Sequence, residues 1–327
     1  MQGGTHYPDI GQSTLAFATL PCLILLHEPC RPDHASRCLS LARPALLSGG
    51  APMTPARSRP PTGAGAIHVG VGGWVYAPWR DNFYPAGLVQ RLELEYASRQ
   101  LTAIEINGTY YGAQKPATYA KWREQTPPGF VFSAKAPMRI VQARVLAKTG
   151  KQVEDFVGGI AELGDRLGPL VWQFEGQGRL QREDFAAFLA LLPRSAGGRH
   201  LRHVLDVRDA AFANADLIAL ARQHEVATVF TDAAEHPNFA DLGTDFVYAR
   251  LMRTQASRAT GYTAQALAGW ADIARRWAHG EDPPGLPHLL EPLKKAAPRE
   301  VYVYFINGAK ERNPAAAMAL LAALGKR

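Results

Sequence analysis

The chain has 327 residues, of which 47% are hydrophobic and 20% are charged, and its formal net charge is +7. This is the composition of a globular protein with a sizeable core, and it excludes a wholly disordered chain. Residues 1–66 carry +2 of the charge and the other 261 residues carry +5. Since no basic tail or stripe concentrates the charge, the sequence does not indicate a dedicated nucleic-acid-binding surface.

Residues 1–66 form a segment without a sustained hydrophobic period, in which prolines recur and which ends in a Gly- and Pro-rich stretch. We predict that this N-terminal extension is disordered. Met53 would begin a shorter chain, and our hypothesis is that translation starts there. The apolar run at 15–26 is short for a membrane span and lacks the basic start of a secretory signal. We therefore expect a cytoplasmic protein without a membrane span.

All three cysteines lie in this extension, at Cys22, Cys30 and Cys38. They lack the close pairs of a structural zinc site, so the sequence does not favour a zinc centre. The rest of the chain has no cysteine and therefore no disulfide framework, which is typical of a protein in a reducing compartment.

From residue 67 onward, short β-rich runs alternate with amphipathic segments. The eight runs are Ile67–Val71, Thr102–Ile106, Phe130–Lys135, Leu170–Phe174, His203–Val207, Ala227–Thr231, Phe246–Leu251 and Val301–Ile306. Helical patterns lie between most of them, although residues 232–243 are too few and too broken for a full helix. Strands that alternate with helices pair in parallel with right-handed crossovers. Eight such units predict an α/β fold, a TIM-type (β/α)₈ barrel that forms a single domain over residues 67–327.

Residues at the ends of the amphipathic segments support the predicted helices. Pro116 suits a first helical turn, and the acidic pair at 183–184 suits a helix N-terminus. Thr263 is predicted to cap a helix that Gly280 ends. Asn313 and Pro314 are predicted to cap and begin the last helix.

Polar residues recur on one side of the predicted strands, towards their C-terminal ends, where barrel enzymes have their active sites. Because side chains alternate along a strand, apolar residues facing the helices would turn the polar ones inward. We predict that these polar residues converge inside the top of the barrel: Glu105, Asn107, Lys135, Gln173, Asp206, Arg208 and Arg250. Charges are rarely buried without partners or a purpose, so this predicts either a site or a structural plug of ion pairs.

Two groups of loop residues extend the predicted site. The loop after the seventh strand contains Arg253 and Arg258, and the loop after the eighth contains Asn307, Gly308, Lys310 and Arg312. These loops are the usual phosphate position of the fold, although a solvated basic rim is an equal alternative. Aromatic residues of the first two loops, including Trp74 and Tyr110, would stack on a sugar or base or pack the loops against the barrel.

Several chemistries have no support in the sequence. It contains no HExxH, GxSxG, P-loop or CxxC pattern, and its histidines show no metal-ligand spacing. No cofactor is evident. Magnesium held by carboxylates, namely Asp206, Asp232 or Glu105, remains an open possibility.

Several motifs resemble the YecE-like family, also called domain of unknown function seventy-two. They are Gly72–Trp79 with Phe83-Tyr84-Pro85, Glu105–Tyr111, Phe132–Pro137, Leu167–Phe174, Asp245–Leu251 and Val301–Phe305. The resemblance implies a TIM-type barrel and no established activity. It also draws attention to family positions that this chain fills with Glu105, Asn107, Lys135, Gln173, Arg208, Arg250 and Asn307. Two histidines typical of the family are replaced here by Asp209 and Met252, so any acid–base role of those histidines is absent.

The leading hypothesis is an enzyme for a small anionic substrate, phosphorylated or sugar-like, with acid–base chemistry of the hydrolase, lyase or isomerase kind. Arg250 and Arg208 would clamp the anion, and Glu105 or Asp206 would transfer protons. Lys135 would stabilise charge or form a Schiff base. The alternatives are a protein that binds or processes nucleic acid, and a non-catalytic binding barrel in which Lys135 and Glu105 form a plug.

Overall fold

The computed structural model describes residues 63–175, 180–283, 285–293 and 297–325. Residues 1–62, with the three cysteines and Met53, lie outside the described residues, so the predictions made for them are not addressed by the structure. Among the described residues no helix combines the length and the apolar character needed to cross a membrane.

Eight parallel strands close into a barrel in the order β1-β8-β7-β6-β5-β4-β3-β2. The strands are β1 (Ile67–Gly72), β2 (Ala103–Ile106), β3 (Val131–Lys135), β4 (Leu167–Phe174), β5 (His203–Val207), β6 (Ala227–Thr231), β7 (Phe246–Leu251) and β8 (Glu300–Phe305). Each coincides with one predicted run, with ends that shift by at most three residues. The predicted TIM-type barrel is therefore confirmed.

Helices surround the barrel. They are α1 (Glu93–Gln100), α2 (Pro116–Gln125), the short α3 (Met138–Val141), α4 (Gly150–Ile160), α5 (Arg182–Leu191), α6 (Ala215–Gln223), α7 (Ala264–Ala278) and α8 (Asn313–Ala323). Residues 232–243, all of them described, form no helix, as predicted. The Thr263 hydroxyl caps α7 by accepting a hydrogen bond from the Ala266 N–H at 3.0 Å.

Of two further predictions for helix ends, the one for Gly280 is confirmed and the one for Asn313 is wrong. Gly280 follows α7 in the left-handed region, with φ 86°, where a side chain would also collide with the backbone of Ala297. Its predicted role at the end of the helix is confirmed. The prediction that Asn313 caps α8 is wrong, because Arg312 is the N-cap residue and Asn313 is already helical. The Asn313 side chain instead accepts a hydrogen bond from the Thr254 hydroxyl at 2.8 Å.

The strands have two apolar faces. The outer face packs against the helices, as where Trp172 contacts Phe156 and Phe188. The inner face fills the barrel with aromatic rings, and the Tyr248 ring lies 5.1 Å from that of Tyr304. Burial of each such side chain stabilises the fold by about 1.5–3 kcal/mol.

Two glycines of β1 explain the Gly-rich sequence at 70–73. A Cβ at Gly70 would collide with the carbonyl oxygen of Ala103, so this glycine permits the close approach of β1 and β2. A Cβ at Gly72 would lie 2.7 Å from the Asn107 side-chain nitrogen, so this glycine leaves space for Asn107 at the end of β2. Both glycines are therefore required by packing at the ends of neighbouring strands.

A charged cluster closes the N-terminal end of the barrel. Arg202 donates hydrogen bonds to Glu300, to the Tyr302 hydroxyl at 2.9 Å and to Asp245 at 3.2 Å. His68 pairs with the second oxygen of Glu300 at 2.8 Å. Burial opposes the charge on Glu300, but the His68 hydrogen bond and the Arg202 charge prevail and lower its pKa to about 2.

We expect the substitution Glu300→Gln to lower the free energy of unfolding at pH 7 by about 2 kcal/mol, after allowance for partial exposure. In the folded protein Glu300 stays ionised down to about pH 2, against 4.5 ordinarily. The unfolded chain therefore binds the proton first as the pH falls, and stability is lost over this interval. Urea unfolding between pH 7 and 3.5 should show a shallower pH dependence for Glu300→Gln. The exposed Glu124→Gln is the control, and identical pH slopes in all three proteins would contradict the prediction.

Candidate functional site

A cavity of about 440 Å³ opens at the C-terminal ends of the strands. Its lining comes from seven of the eight strand ends and the loops beyond them: Gly72, Glu105, Asn107, Tyr110, Tyr111, Lys135, Gln173, Glu175, Arg208, Arg250, Ile306, Asn307, Lys310 and Asn313. All of the seven residues expected inside the top of the barrel except Asp206 are in this lining. Of the predicted loop residues it includes Tyr110, Asn307 and Lys310, but not Trp74.

Arg250 lies at the floor of the cavity with only 1% of its surface exposed. Its Nε and Nη2 donate to the same oxygen of Glu105, at 3.0 and 2.8 Å. Its Nη1 donates to Gln173 at 3.1 Å and also to Asp206. Burial opposes its charge, but the carboxylates of Glu105 and Asp206 raise the pKa of Arg250 above its ordinary value. Four of its five N–H groups are therefore engaged, and its expected role as an anion clamp stays a prediction.

Glu105 has one oxygen fixed and one oxygen free. Its Oε2 accepts the two Arg250 bonds and a third from the Tyr248 hydroxyl at 2.6 Å. Its Oε1 is buried and has no hydrogen-bond partner among the described residues. A buried polar atom without a partner costs free energy unless a ligand or water completes it. The geometry therefore holds Glu105 rigidly while leaving one oxygen available to a bound molecule.

Lys135 ends β3 with its Nζ 4.5 Å from the centre of the Tyr110 ring. Within the part of the chain that the structure describes, this ammonium group makes no hydrogen bond and no ion pair. Burial, and then the positive charge of Arg250, lower the pKa of Lys135 to about 8. A cation that is desolvated and unpaired is available to neutralise an anionic ligand.

Asp206 lies between two guanidinium groups, since it accepts from Arg250 and from Arg208 Nε at 3.2 Å. It does not line the cavity, and its expected role in proton transfer stays a prediction. Arg208 does line the cavity, and its Nη1 is 3.8 Å from Glu175. Among the described residues only its Nε donates at normal hydrogen-bond distance, so the guanidinium group has further N–H groups that an anion could bind.

The rim of the cavity is aromatic and basic. The Lys310 ammonium lies 4.3 Å from the centre of the Tyr76 ring, and burial lowers its pKa. Tyr110 accepts a hydrogen bond from Gln142 at 3.1 Å, and Tyr111 is 83% exposed. Asn307 has φ 59°, and its carbonyl accepts from the Asn313 side chain at 3.2 Å. The eighth loop therefore contributes to the site, as predicted.

Other residues suggested by the sequence lie away from the cavity. Trp74 packs edge-on against Trp122 at 4.9 Å, which is a packing role for this loop. Asp232 accepts from the Met252 N–H at 2.6 Å and from the Tyr262 hydroxyl at 2.7 Å. Arg253 and Arg258 are exposed and absent from the lining. The seventh loop thus adds no cation to the cavity beyond Arg250 at the strand end.

The two positions at which the family resemblance leads one to expect histidine do not line the cavity either. Asp209 accepts from the Ala211 N–H at 3.1 Å, and Met252 is buried. Among the described residues no three His, Cys, Asp or Glu side chains are grouped so as to hold a metal ion.

Glu175 is a cavity residue that the sequence reasoning missed. It lines the cavity and accepts a hydrogen bond from Gln173. It lies two residues after Gln173 and so continues the inward-facing alternation of β4. Extending that alternation one residue past the end of the strand would have found it.

The fold and the cavity define a (β/α)₈ barrel with a charged pocket where barrel proteins bind their ligands. The chain belongs to the family described as "Protein of unknown function DUF72", which matches residues 68–327. This confirms the resemblance seen in the sequence motifs.

Similar proteins support this membership. The UPF0759 protein YecE of Escherichia coli K12 is 29% identical over 102 residues, which are 31% of this chain and only 35% of that protein. A DUF72 family protein from Thermotoga maritima MSB8 has 20% identity and a TM-score of 0.59, covering 78% of this chain and 96% of its own. One from Enterococcus faecalis V583 has 15% identity and a TM-score of 0.58, covering 80% and 99%. At these identities the solved structures show the shared fold.

Proposed function

We propose that the protein is an enzyme that acts on a small anionic molecule, phosphorylated or sugar-like, in the cavity at the C-terminal ends of the strands. The observation behind the proposal is that Lys135 and Glu105 line one cavity, while the Lys135 ammonium group and the buried Glu105 Oε1 have no hydrogen-bond partner among the described residues. Perturbed titratable groups in a cleft are typical of functional sites.

The charges of the lining favour an anion. Lys135, Arg208, Arg250 and Lys310 supply four cations, whereas Glu105 and Glu175 supply two carboxylates. Lys135, Arg208 and Lys310 have N–H groups available for phosphate or carboxylate oxygens. A volume of about 440 Å³ is in the range of small-molecule sites, which are about 300–1,000 Å³.

The acid–base chemistry is assigned to Glu105. Its free Oε1 would accept a proton from the substrate and return it, while Arg250 and Tyr248 hold Oε2. Such positioned proton transfer contributes about 10²–10⁴-fold in rate. The reaction is then of the hydrolase, lyase or isomerase kind.

Thermal shift of the full-length protein tests the proposal with sugar phosphates, free sugars, nucleotides and short oligonucleotides, each with and without Mg²⁺. We expect one class of small phosphorylated compound to stabilise the protein selectively. Arg208→Ala should weaken that affinity about 10- to 100-fold, because it removes charge-assisted hydrogen bonds.

The matched control is Arg253→Ala, which removes an exposed arginine outside the cavity. Equal affinity in the wild type and Arg208→Ala would argue against the assigned anion site. Stabilisation by oligonucleotides alone, fading with salt, would indicate nucleic-acid binding instead. No response to any compound would favour the non-catalytic barrel.

A further inference from the structure

We infer that Lys135 acts as a nucleophile, forming an imine with an aldehyde or ketone that also carries an anionic group. The substrate class would then be a phosphorylated or carboxylated carbonyl compound. The inference rests on the proposed function and names the chemistry of the same cavity.

The environment of the Lys135 amine differs from that of a lysine held for its charge. Lys151, for example, pairs with Asp155 at 2.6 Å on the surface of α4. Lys135 has no such partner among the described residues, although two carboxylates lie in the same end of the barrel. The bound oxygens of Glu105 and Asp206 are turned to Arg250, and the Lys135 ammonium faces the Tyr110 ring. Among the described residues no carboxylate oxygen therefore forms an ion pair with the Lys135 amine. The nitrogen that must attack a carbonyl carbon is not held by a salt bridge.

The same surroundings favour the neutral, nucleophilic form of the amine. Burial and the Arg250 charge lower the pKa of Lys135 to about 8. An exposed lysine titrates near 10.4, so at pH 7 the neutral fraction of Lys135 exceeds that of a surface lysine by a factor on the order of 100.

The bonding changes balance with solvent water as the proton carrier. The neutral Lys135 nitrogen attacks the carbonyl carbon, and the C=O π electrons move to oxygen, which takes a proton from a solvent hydronium ion. Water carries one proton from the nitrogen to the hydroxyl group, which leaves as water when the C=N⁺ bond forms. The iminium ion then gives an α-proton to Glu105 Oε1, and the electron pair of that C–H bond forms an enamine. Glu105 returns the proton to the carbon, and addition of water to the iminium carbon releases the carbonyl compound, a proton and the free amine, while Arg208 and Lys310 hold the anionic group.

Reductive trapping tests the inference. The full-length protein is incubated at pH 7 with glyoxylate and sodium cyanoborohydride, and the labelled lysines are identified by peptide mass mapping. Glyoxylate is the smallest anionic aldehyde, so the size of the cavity does not limit its entry. We expect Lys135 to be labelled on the order of 100-fold faster than the exposed Lys121. The labelling rate should rise with pH to a plateau, with a midpoint near 8.

Two variants control the experiment. Lys135→Arg keeps a positive charge without a reactive amine and should lose the fast label, whereas Lys121→Arg should keep it. Labelling of Lys135 no faster than that of Lys121 in the wild type would overturn the inference. The thermal-shift experiment on the wild type separates two cases if Lys135 is not labelled. Selective stabilisation by sugar phosphates would leave the proposed function standing, whereas no stabilisation by any of these compounds would overturn both.

Discussion

Arg250→Met is expected to lower the free energy of unfolding by about 3–5 kcal/mol, which is the usual cost of removing one partner from a buried ion pair. Arg250 is the shared donor to Glu105, Asp206 and Gln173. Without it the carboxylates of Glu105 and Asp206 would remain at the C-terminal end of the barrel, and Glu105 would have no adjacent guanidinium group. Methionine fills much of the same volume as arginine. The decrease in the free energy of unfolding would therefore come mainly from the lost charge and not from a new cavity. Urea unfolding followed by tryptophan fluorescence measures the change.

Arg253→Met is the matched control, since Arg253 is exposed and only three residues further along the chain. Surface substitutions of this kind usually change stability by no more than about 0.5 kcal/mol. Arg250→Lys should fall between the two, because an ammonium group restores the charge but not the planar fork. If Arg250→Met were as stable as Arg253→Met, Glu105 and Asp206 would have to be satisfied by protons or water, and Arg250 would not organise the site.

The inward convergence of the polar residues could be predicted from the sequence because it depends on a local rule. Side chains alternate along a strand, and the apolar partners of Glu105 and Arg250 leave those two residues only the inner face. The missing helix at 232–243 could be predicted for a similar reason, because a stretch so short and broken cannot form an apolar helical face.

The pairing inside the site could not be predicted in this way. Arg250 meets Glu105 because β7 and β2 face each other across the closed barrel, and the stagger of the strands sets which layer each side chain joins. No local pattern specifies that stagger. For the same reason the sequence could not show that Asp206 lies beneath two guanidinium groups, outside the cavity lining, whereas Glu105 keeps an oxygen free.

The two ends of the barrel differ in how completely their charged groups are paired. At the N-terminal end Arg202, Glu300 and His68 satisfy one another in a paired cluster. At the C-terminal end the Lys135 ammonium and the Glu105 Oε1 lack partners among the described residues. Natural proteins depart from full polar satisfaction mainly at functional sites, where binding compensates for the lost stability. Removal of the paired Glu300 and removal of Lys135 are therefore expected to change the free energy of unfolding in opposite directions.

Lys135→Met is accordingly expected to raise the free energy of unfolding at pH 7 by about 1–3 kcal/mol, because it removes a desolvated cation that has no ion-pair partner in the described part of the chain. The pKa of Lys135 is lowered from 10.5 to about 8. Between these values the unfolded chain holds one proton more than the folded protein, so the stability of the wild type rises with pH. The advantage of Lys135→Met should shrink over the same interval and vanish above pH 10.5.

Urea unfolding of the wild type and Lys135→Met at pH 7 and 9.5 measures this difference. Lys121 is exposed, so the control Lys121→Met should have the same free energy of unfolding as the wild type at both pH values. We expect Lys135→Met to have a higher free energy of unfolding than the wild type at pH 7 and a smaller difference at pH 9.5. That result would indicate a lysine that is retained for function although it lowers stability. If Lys135→Met is instead destabilised at pH 7, the ammonium group is part of a structural plug with Glu105. The unpaired charge would then no longer support a ligand site.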